Sequence, residues 1–177
     1  MDIALHLGVH GTDDERIFRA LMKNRARLAA AGTALPVTRS YRQMLPKLVR
    51  SLRGGPAGAD AQEMVRDALG VNESTRRLIL SHENLACFPV QAVGPNGLYP
   101  QLHLRLAALA NIFPTDRCTF FVALRNPATL VPDLLDRGIV TSYDELMAGT
   151  DPRDLRWDPV LRALLSVSND LRAVAAR

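Results

Sequence analysis

The stretch Ile3-Ala4-Leu5-His6-Leu7-Gly8-Val9-His10-Gly11-Thr12-Asp13-Asp14-Glu15 decides how this chain folds. Residues 3–9 are an apolar, β-prone run, the pattern of a strand covered on both sides in a parallel sheet. A short glycine turn follows, and an amphipathic pattern opens near Thr12. A strand-turn-helix junction of this kind aims backbone N–H groups and the positive helix end at an anion. Here that end already carries three carboxylates, Asp13, Asp14 and Glu15. Thr12 and Glu15 have the spacing of a Thr-x-x-Glu capping box, and acidic side chains in a first helical turn stabilise it by roughly 0.3–1 kcal/mol each. The same residues thus read as a well-capped helix or as an altered anion loop.

Working outward, residues 13–31 predict one helix, with Ile17, Leu21 and Leu28 leading its buried side, Phe18, Ala20 and Met22 beside them, and Gly32 as its C-terminal stop. A basic amphipathic helix follows over about 40–53, then the loop Gly54-Gly55-Pro56-Ala57-Gly58 and a short helix capped by Asp60. Arg77-Leu78-Ile79-Leu80-Ser81 reads as a second buried strand and Thr119-Phe120-Phe121-Val122-Ala123-Leu124 as a third. Between them lie a turn at Gly94-Pro95-Asn96-Gly97 and a helix over 100–112. Helices are predicted over 128–137, 142–148 and 159–175. Strands alternating with helices imply parallel neighbours joined by right-handed crossovers. The expected fold is α/β, a parallel sheet flanked by helices on both faces, in one domain spanning residues 1–177.

Composition narrows the function classes. With 177 residues and 47% apolar content the chain has material for one ample core. No apolar run approaches the ~18–20 residues of a membrane span, and no basic leader precedes residues 3–9, so a cytoplasmic protein is expected. Cys87 and Cys118 lie in apolar segments without metal or redox spacing and read as small core residues. Charge is uneven. Residues 16–59 contain no acid but ten cations, Arg16, Arg19, Lys23, Arg25, Arg27, Arg39, Arg42, Lys47, Arg50 and Arg53, whereas the whole chain carries only +4. That segment suits a polyanionic ligand or an acidic partner rather than nucleic acid, or is simply a solvated face.

In an open α/β sheet, ligands bind beyond the carboxyl ends of the strands. Those ends are Gly8-Val9-His10, Ser81-His82-Glu83 and Arg125-Asn126-Pro127, far apart in sequence and convergent in such a fold. The order Leu5-His6-Leu7-Gly8-Val9-His10, Asn24-Arg25, Ala31-Gly32 and Pro36, then Ser81-x-Glu83-x-Leu85, then Leu124-Arg125-Asn126-Pro127 resembles the bacterial sulfotransferases that use the donor PAPS, over roughly residues 3–135. The resemblance implies a three-layer P-loop-like domain. It also implies donor contacts at Gly8, Val9, His10, Gly11 and Thr12, with Arg125 on the 3′-phosphate. An acid or histidine at the second strand end, Glu83 or His82 with His10 nearby, would take the acceptor's proton.

Departures from that pattern are concentrated where the donor's charge would sit. Where the family has Lys, this chain has Gly11; where it has Gly-Thr-Thr, this chain has Asp13, Asp14 and Glu15. Further along, Leu130 and Asp133 stand where the 3′-phosphate motif has Arg and Ser. Two charges ~4 Å apart interact by ~4 kcal/mol at an effective dielectric near 20, so one carboxylate there weakens a dianion's binding by orders of magnitude. The residues leave each candidate a second role: Glu83 as an arginine's partner or a turn cap, His82 as its polar neighbour, Arg125 as a partner of Asp133, and His6 and His103 as structural histidines. The expectation is a sulfotransferase-like protein, diverged or inactive for sulfuryl transfer from PAPS to a hydroxyl, with weak PAPS or PAP binding and no metal. The alternative is a non-catalytic module gripping an anionic glycan, lipid surface or protein through the Arg-rich segment. Phosphoryl transfer is disfavoured, because Gly11-Thr12 replaces the Lys-Ser/Thr pair that phosphates and Mg²⁺ require. Relatives carry another strand beyond a helix like 159–175, so the domain is short or continues further.

Overall fold

The computed structural model describes residues 1–95, 97–138, 140, 142–166 and 171–175. In chain order it contains strand β1 (Asp2–His6), helices α1 (Arg16–Lys23) and α2 (Arg25–Ala30), strand β2 (Thr33–Ala34), helices α3 (Met44–Leu52) and α4 (Ala59–Ala68), and strand β3 (Arg77–Ser81). A hairpin of β4 (Val93–Gly94) and β5 (Gly97–Leu98) precedes α5 (Leu102–Ala110), β6 (Arg117–Leu124), α6 (Pro127–Asp136), α7 (Tyr143–Met147), α8 (Trp157–Leu165) and β7 (Leu171–Ala175). The main sheet runs β2-β3-β1-β6-β7, and all its pairs are parallel. The three strands expected from the sequence are neighbours with β1 at the centre: Leu5 pairs with Leu80 on one side and Phe120 on the other.

This register sorts the side chains onto two unlike faces. Ile3, Leu5, Leu78, Leu80, Phe120 and Val122 lie on one face and join the core, none more than 2% exposed. Ala4, His6, Ile79, Thr119, Phe121 and Ala123 lie on the other, only partly covered, with Phe121 38% exposed. The chain moves one way across the sheet only once, from β1 to β2, and α1 and α2 fall in that step. Every later step, β2 to β3 to β6 to β7, moves the other way, and the buried residues of α3 to α8 all join the core cluster of Ile3, Leu5 and Phe120. Helices α1 and α2 bury no residue, and Ile17, expected inside, is 47% exposed.

Three local expectations are corrected. Residues 13–31 are not one helix: Asp14 and Glu15 have φ of 47° and 60°, outside the helical region, so α1 begins only at Arg16. It breaks at Asn24, whose side-chain amide donates back to the Ala20 carbonyl at 2.9 Å and competes with the helical ladder. The Thr12–Glu15 capping box does not form; Thr12 Oγ1 donates to the Val9 carbonyl at 2.8 Å. Finally, the helix expected over 159–175 ends at Leu165, and Leu171–Ala175 is a strand beside β6, pairing Ala173 with Val122. Backbone pairing with a long buried strand outweighs a local pattern that fits either state. Residues 167–170 of that expected helix lie outside the described residues, as does Asn96 of the expected turn, whose flanking Gly94 and Gly97 pair across the β4–β5 hairpin. Smaller shifts place Gly58, not Asp60, before α4, and start α3 at Met44 after a 3-10 turn at Thr38–Ser40.

The unequal faces predict unequal costs of truncation at adjacent positions. Phe120→Ala should lower stability by about 3–5 kcal/mol, the loss expected for a fully buried phenylalanine. Phe121→Ala should cost under ~1 kcal/mol. Urea unfolding of the two variants checks this, and similar losses at both positions would show that the second face is covered.

Candidate functional site

The turn after β1 is shaped by Gly8 and Gly11, which take φ of +60° and +69°, a region open to glycine at little cost. Three of its amides face acceptors of the protein itself. The His10 N–H donates to the Tyr99 hydroxyl at 3.2 Å, and the Thr12 N–H to the Val9 carbonyl at 3.2 Å. The Gly11 N–H points to Glu83 Oε2 in a long contact of 3.5 Å.

The His10 ring is buried and nearly parallel to that of Tyr99, whose ring is in turn close to parallel with Trp157, with centroids 5.9 and 5.5 Å apart. The Tyr99 hydroxyl lies 2.8 Å from His10 Nδ1, and Asn84 Oδ1 lies 3.4 Å from Nε2. One tautomer satisfies every group: Tyr99 donates to Nδ1 while accepting from the His10 amide, and Nε2–H donates to Asn84. Burial, the strongest influence, holds His10 below the ordinary histidine value and lifts the Tyr99 phenol well above its own. Trp157 closes the stack by donating its indole N–H to the Arg125 carbonyl at 2.7 Å.

Beyond Gly11 stands a cluster of charges. Arg125 Nη1 donates to the Gly11 carbonyl at 2.8 Å and pairs with Asp133 at 3.2 Å. Arg137 pairs with Asp133 at 2.8 Å, with Glu83 at 3.3 Å and with Asp14 at 3.6 Å. Burial alone would raise the Asp133 carboxyl, but hydrogen bonds and charge from Arg137 and Arg125 hold it below its ordinary value. These groups fill the space a side chain at position 11 would need. A Cβ built on Gly11 would lie 2.2 Å from Arg125 Nη1, 2.3 Å from Asp133 Oδ2 and 3.0 Å from Arg137 Nη2.

The remaining opening at the strand ends is a cavity of about 220 Å³ whose walls include His6, Gly8, Ser81, His82, Glu83 and Arg137. Two guanidiniums, Arg19 and Arg137, face four carboxylates there, Asp13, Asp14, Glu15 and Glu83. It lies between the ends of β1 and β3, where the chain leaves toward opposite faces of the sheet, the usual position of a ligand crevice in such folds. Small-molecule sites enclose roughly 300–1,000 Å³, so this one is smaller than a nucleotide-sized pocket.

Of the residues singled out from the sequence, Gly8, His82 and Glu83 line this cavity. Glu83 is the partner of Arg137 there, and His82 Nδ1 accepts the Asn84 amide at 3.0 Å as the cap of a 3-10 turn, Glu83–Leu85. Val9 and His10 do not line the cavity; both are core residues, because the chain turns inward after Gly8 and Tyr99 captures His10. Thr12 bonds back to Val9, and Arg125 is held by Gly11, Thr129 and Asp133. His6 lines the cavity with Nδ1 2.8 Å from Ser81 Oγ. Sequence reasoning missed Tyr99, Asn84, Trp157 and Arg137. The first three carry no local signal, whereas the four-residue spacing of Asp133 and Arg137 on α6 marks a helical ion pair. Cys87 and Cys118 are both pushed up to about 12 by burial, so neither is a thiolate at neutral pH. Among the described residues, no group of three or more His, Cys, Asp or Glu is placed to hold a metal ion. Nor is any helix among them long and apolar enough to cross a membrane.

The chain matches no known protein-family model, and no curated protein is significantly similar to it.

Three histidines share one titration behaviour, since burial leads in holding His6, His10 and His82 below the ordinary value near 6.5. As pH falls through that value, the unfolded chain takes up protons that the folded protein resists, so stability falls; above it, both states are neutral and this contribution is flat. The urea midpoint should therefore drop between pH 7.5 and 5.5 and hold steady between pH 7.5 and 8.5. A midpoint that rises on acidification would contradict the assignment.

Proposed function

We propose that this chain is a sulfotransferase-like, three-layer P-loop-like domain whose donor site has been rebuilt into internal structure and which no longer transfers sulfuryl groups from PAPS. One observation carries the reading: the loop amides of His10, Gly11 and Thr12 face acceptors of the protein itself. A phosphate loop functions by leaving such amides free for the ligand. The Glu83 carboxylate takes the part of the anion, and the Arg137 guanidinium stands beside the position from which the family's Lys would project. Asp133, Glu83 and Asp14 hold that guanidinium, so a phosphate reaching for it would have to displace three ion pairs. The cavity's excess of carboxylates opposes a polyanionic nucleotide further.

Were the site active, Glu83 or His82 would have to accept a proton from the acceptor hydroxyl. Glu83 is instead tied to Arg137, and the Nδ1 lone pair of His82 already accepts a backbone N–H. Calorimetric titration with PAP at physiological salt tests the reading: the dissociation constant should be weaker than about 100 μM. Binding at low micromolar concentration or tighter would overturn it.

A specific observation also favours polyanion binding through the Arg-rich segment. Among the described residues none of the ten cations from Arg16 to Arg53 forms an ion pair, whereas Arg66, Arg117, Arg125, Arg137, Arg153, Arg156 and Arg162 all do. Unpaired surface cations attract polyanions with strong salt dependence, since exposed charges are screened within ~8–10 Å. Reversing Arg39, Arg42 and Arg53 to Glu should abolish retention on heparin near physiological salt, while reversing Arg153, Arg156 and Arg162 should leave it in place. Equal elution of both triple variants and the parent would reduce the segment to a solvated face.

A further inference from the structure

Apart from the strand-end cavity, a cleft of about 610 Å³ lies between α3, α5 and the segment around the β4–β5 hairpin. Its walls are mainly apolar: Val49, Phe88, Val90, Pro100 and Leu104 line it, and three of these are large apolar side chains left in water, Phe88 at 56%, Val90 at 48% and Leu104 at 61% exposure. Two cations share the same lining, Arg50 from α3 and Arg105 from α5.

One carboxylate, Glu145 from α7, shares the lining with these two guanidiniums. Arg105 is half-buried and spends its Nε–H on the Leu85 carbonyl at 3.3 Å. Among the described residues neither Arg50 nor Arg105 forms an ion pair. Burial, opposed by Cys87 and reinforced by the charge of Arg50, holds Arg105 below its ordinary value. Like charges brought together at the edge of a low-dielectric groove are destabilising unless an anion sits between them. The two guanidiniums also offer paired N–H donors in the fork geometry that suits a carboxylate.

We infer that this groove is a binding site for a free long-chain carboxylate, the acyl chain lying along Phe88, Val90 and Leu104 and the carboxylate bridging Arg50 and Arg105. An acyl chain fits within the range typical of small-molecule sites, roughly 300–1,000 Å³. The site is separate from the strand-end cavity, so its occupancy does not depend on whether PAP binds.

Displacement of the fluorescent probe dansyl-undecanoate by dodecanoate, below its micellar concentration, tests the inference on the full chain. Dodecanoate should compete at micromolar concentration, and dodecanol, with the same chain and no charge, should compete roughly tenfold more weakly or worse. Arg105→Gln should weaken dodecanoate by a similar factor. Arg50→Gln, at an exposed position that leaves the fold intact, should weaken it several-fold even if the Arg105 variant is poorly folded. Dodecanol competing as well as dodecanoate, or an undiminished affinity in the Arg50 variant, would overturn the inference. Uptake by anionic phosphatidylglycerol vesicles without any displacement by dodecanoate would overturn it in favour of a lipid surface.

Discussion

The structure depends on how the turn after β1 is held. A strand at the centre of a parallel sheet must leave its carboxyl end by a loop, and a loop of glycines presents N–H groups that have to be satisfied somewhere. In a nucleotide-binding loop the ligand satisfies them. Here the Tyr99 hydroxyl, the Glu83 carboxylate and the Val9 carbonyl face them instead, and the stack of His10, Tyr99 and Trp157 locks the loop against the body of the domain. Once those partners are in place, Gly11 need carry no cation, and the space beside it belongs to Arg125, Asp133 and Arg137.

That arrangement links the sequence's oddities to one another. Asp14 looks hostile to an anion loop, yet its carboxylate is the outermost partner of Arg137, and Asp133 is the innermost. Removing one partner from such a cluster costs more than pairwise energies suggest, because the remaining charges are left partly buried. The carboxylates and arginines therefore form a mutually dependent set in which Gly11 is the residue that makes room.

The architecture was legible in the sequence wherever burial dictated composition. Three apolar runs specified three parallel neighbours, and the positive-φ glycines at positions 8, 11 and 32 marked the turns. What the sequence could not show was burial that depends on topology. The apolar residues of 17–28 have helical spacing, but α1 and α2 bury none of them, and Ile17 is 47% exposed. Leu171–Ala175 has a pattern compatible with helix, and only the edge of β6 makes it a strand. At the site, the residues nearest in sequence were found and their partners were not. His10 and Tyr99 are 89 positions apart, and no local pattern predicts that a tyrosine beyond a hairpin will cap a loop amide.

The amides of His10 and Thr12 are committed to internal acceptors before any ligand arrives. Amide hydrogen exchange on the ligand-free protein measures this residue by residue. The N–H groups of His10 and Thr12 should be protected by roughly a hundredfold or more relative to an unstructured peptide, in line with the strand β1 that precedes them, and should not slow further when PAP is added. Exchange at the unprotected rate in the free protein, followed by strong protection on adding PAP, would show that the loop is an open anion site and contradict the account.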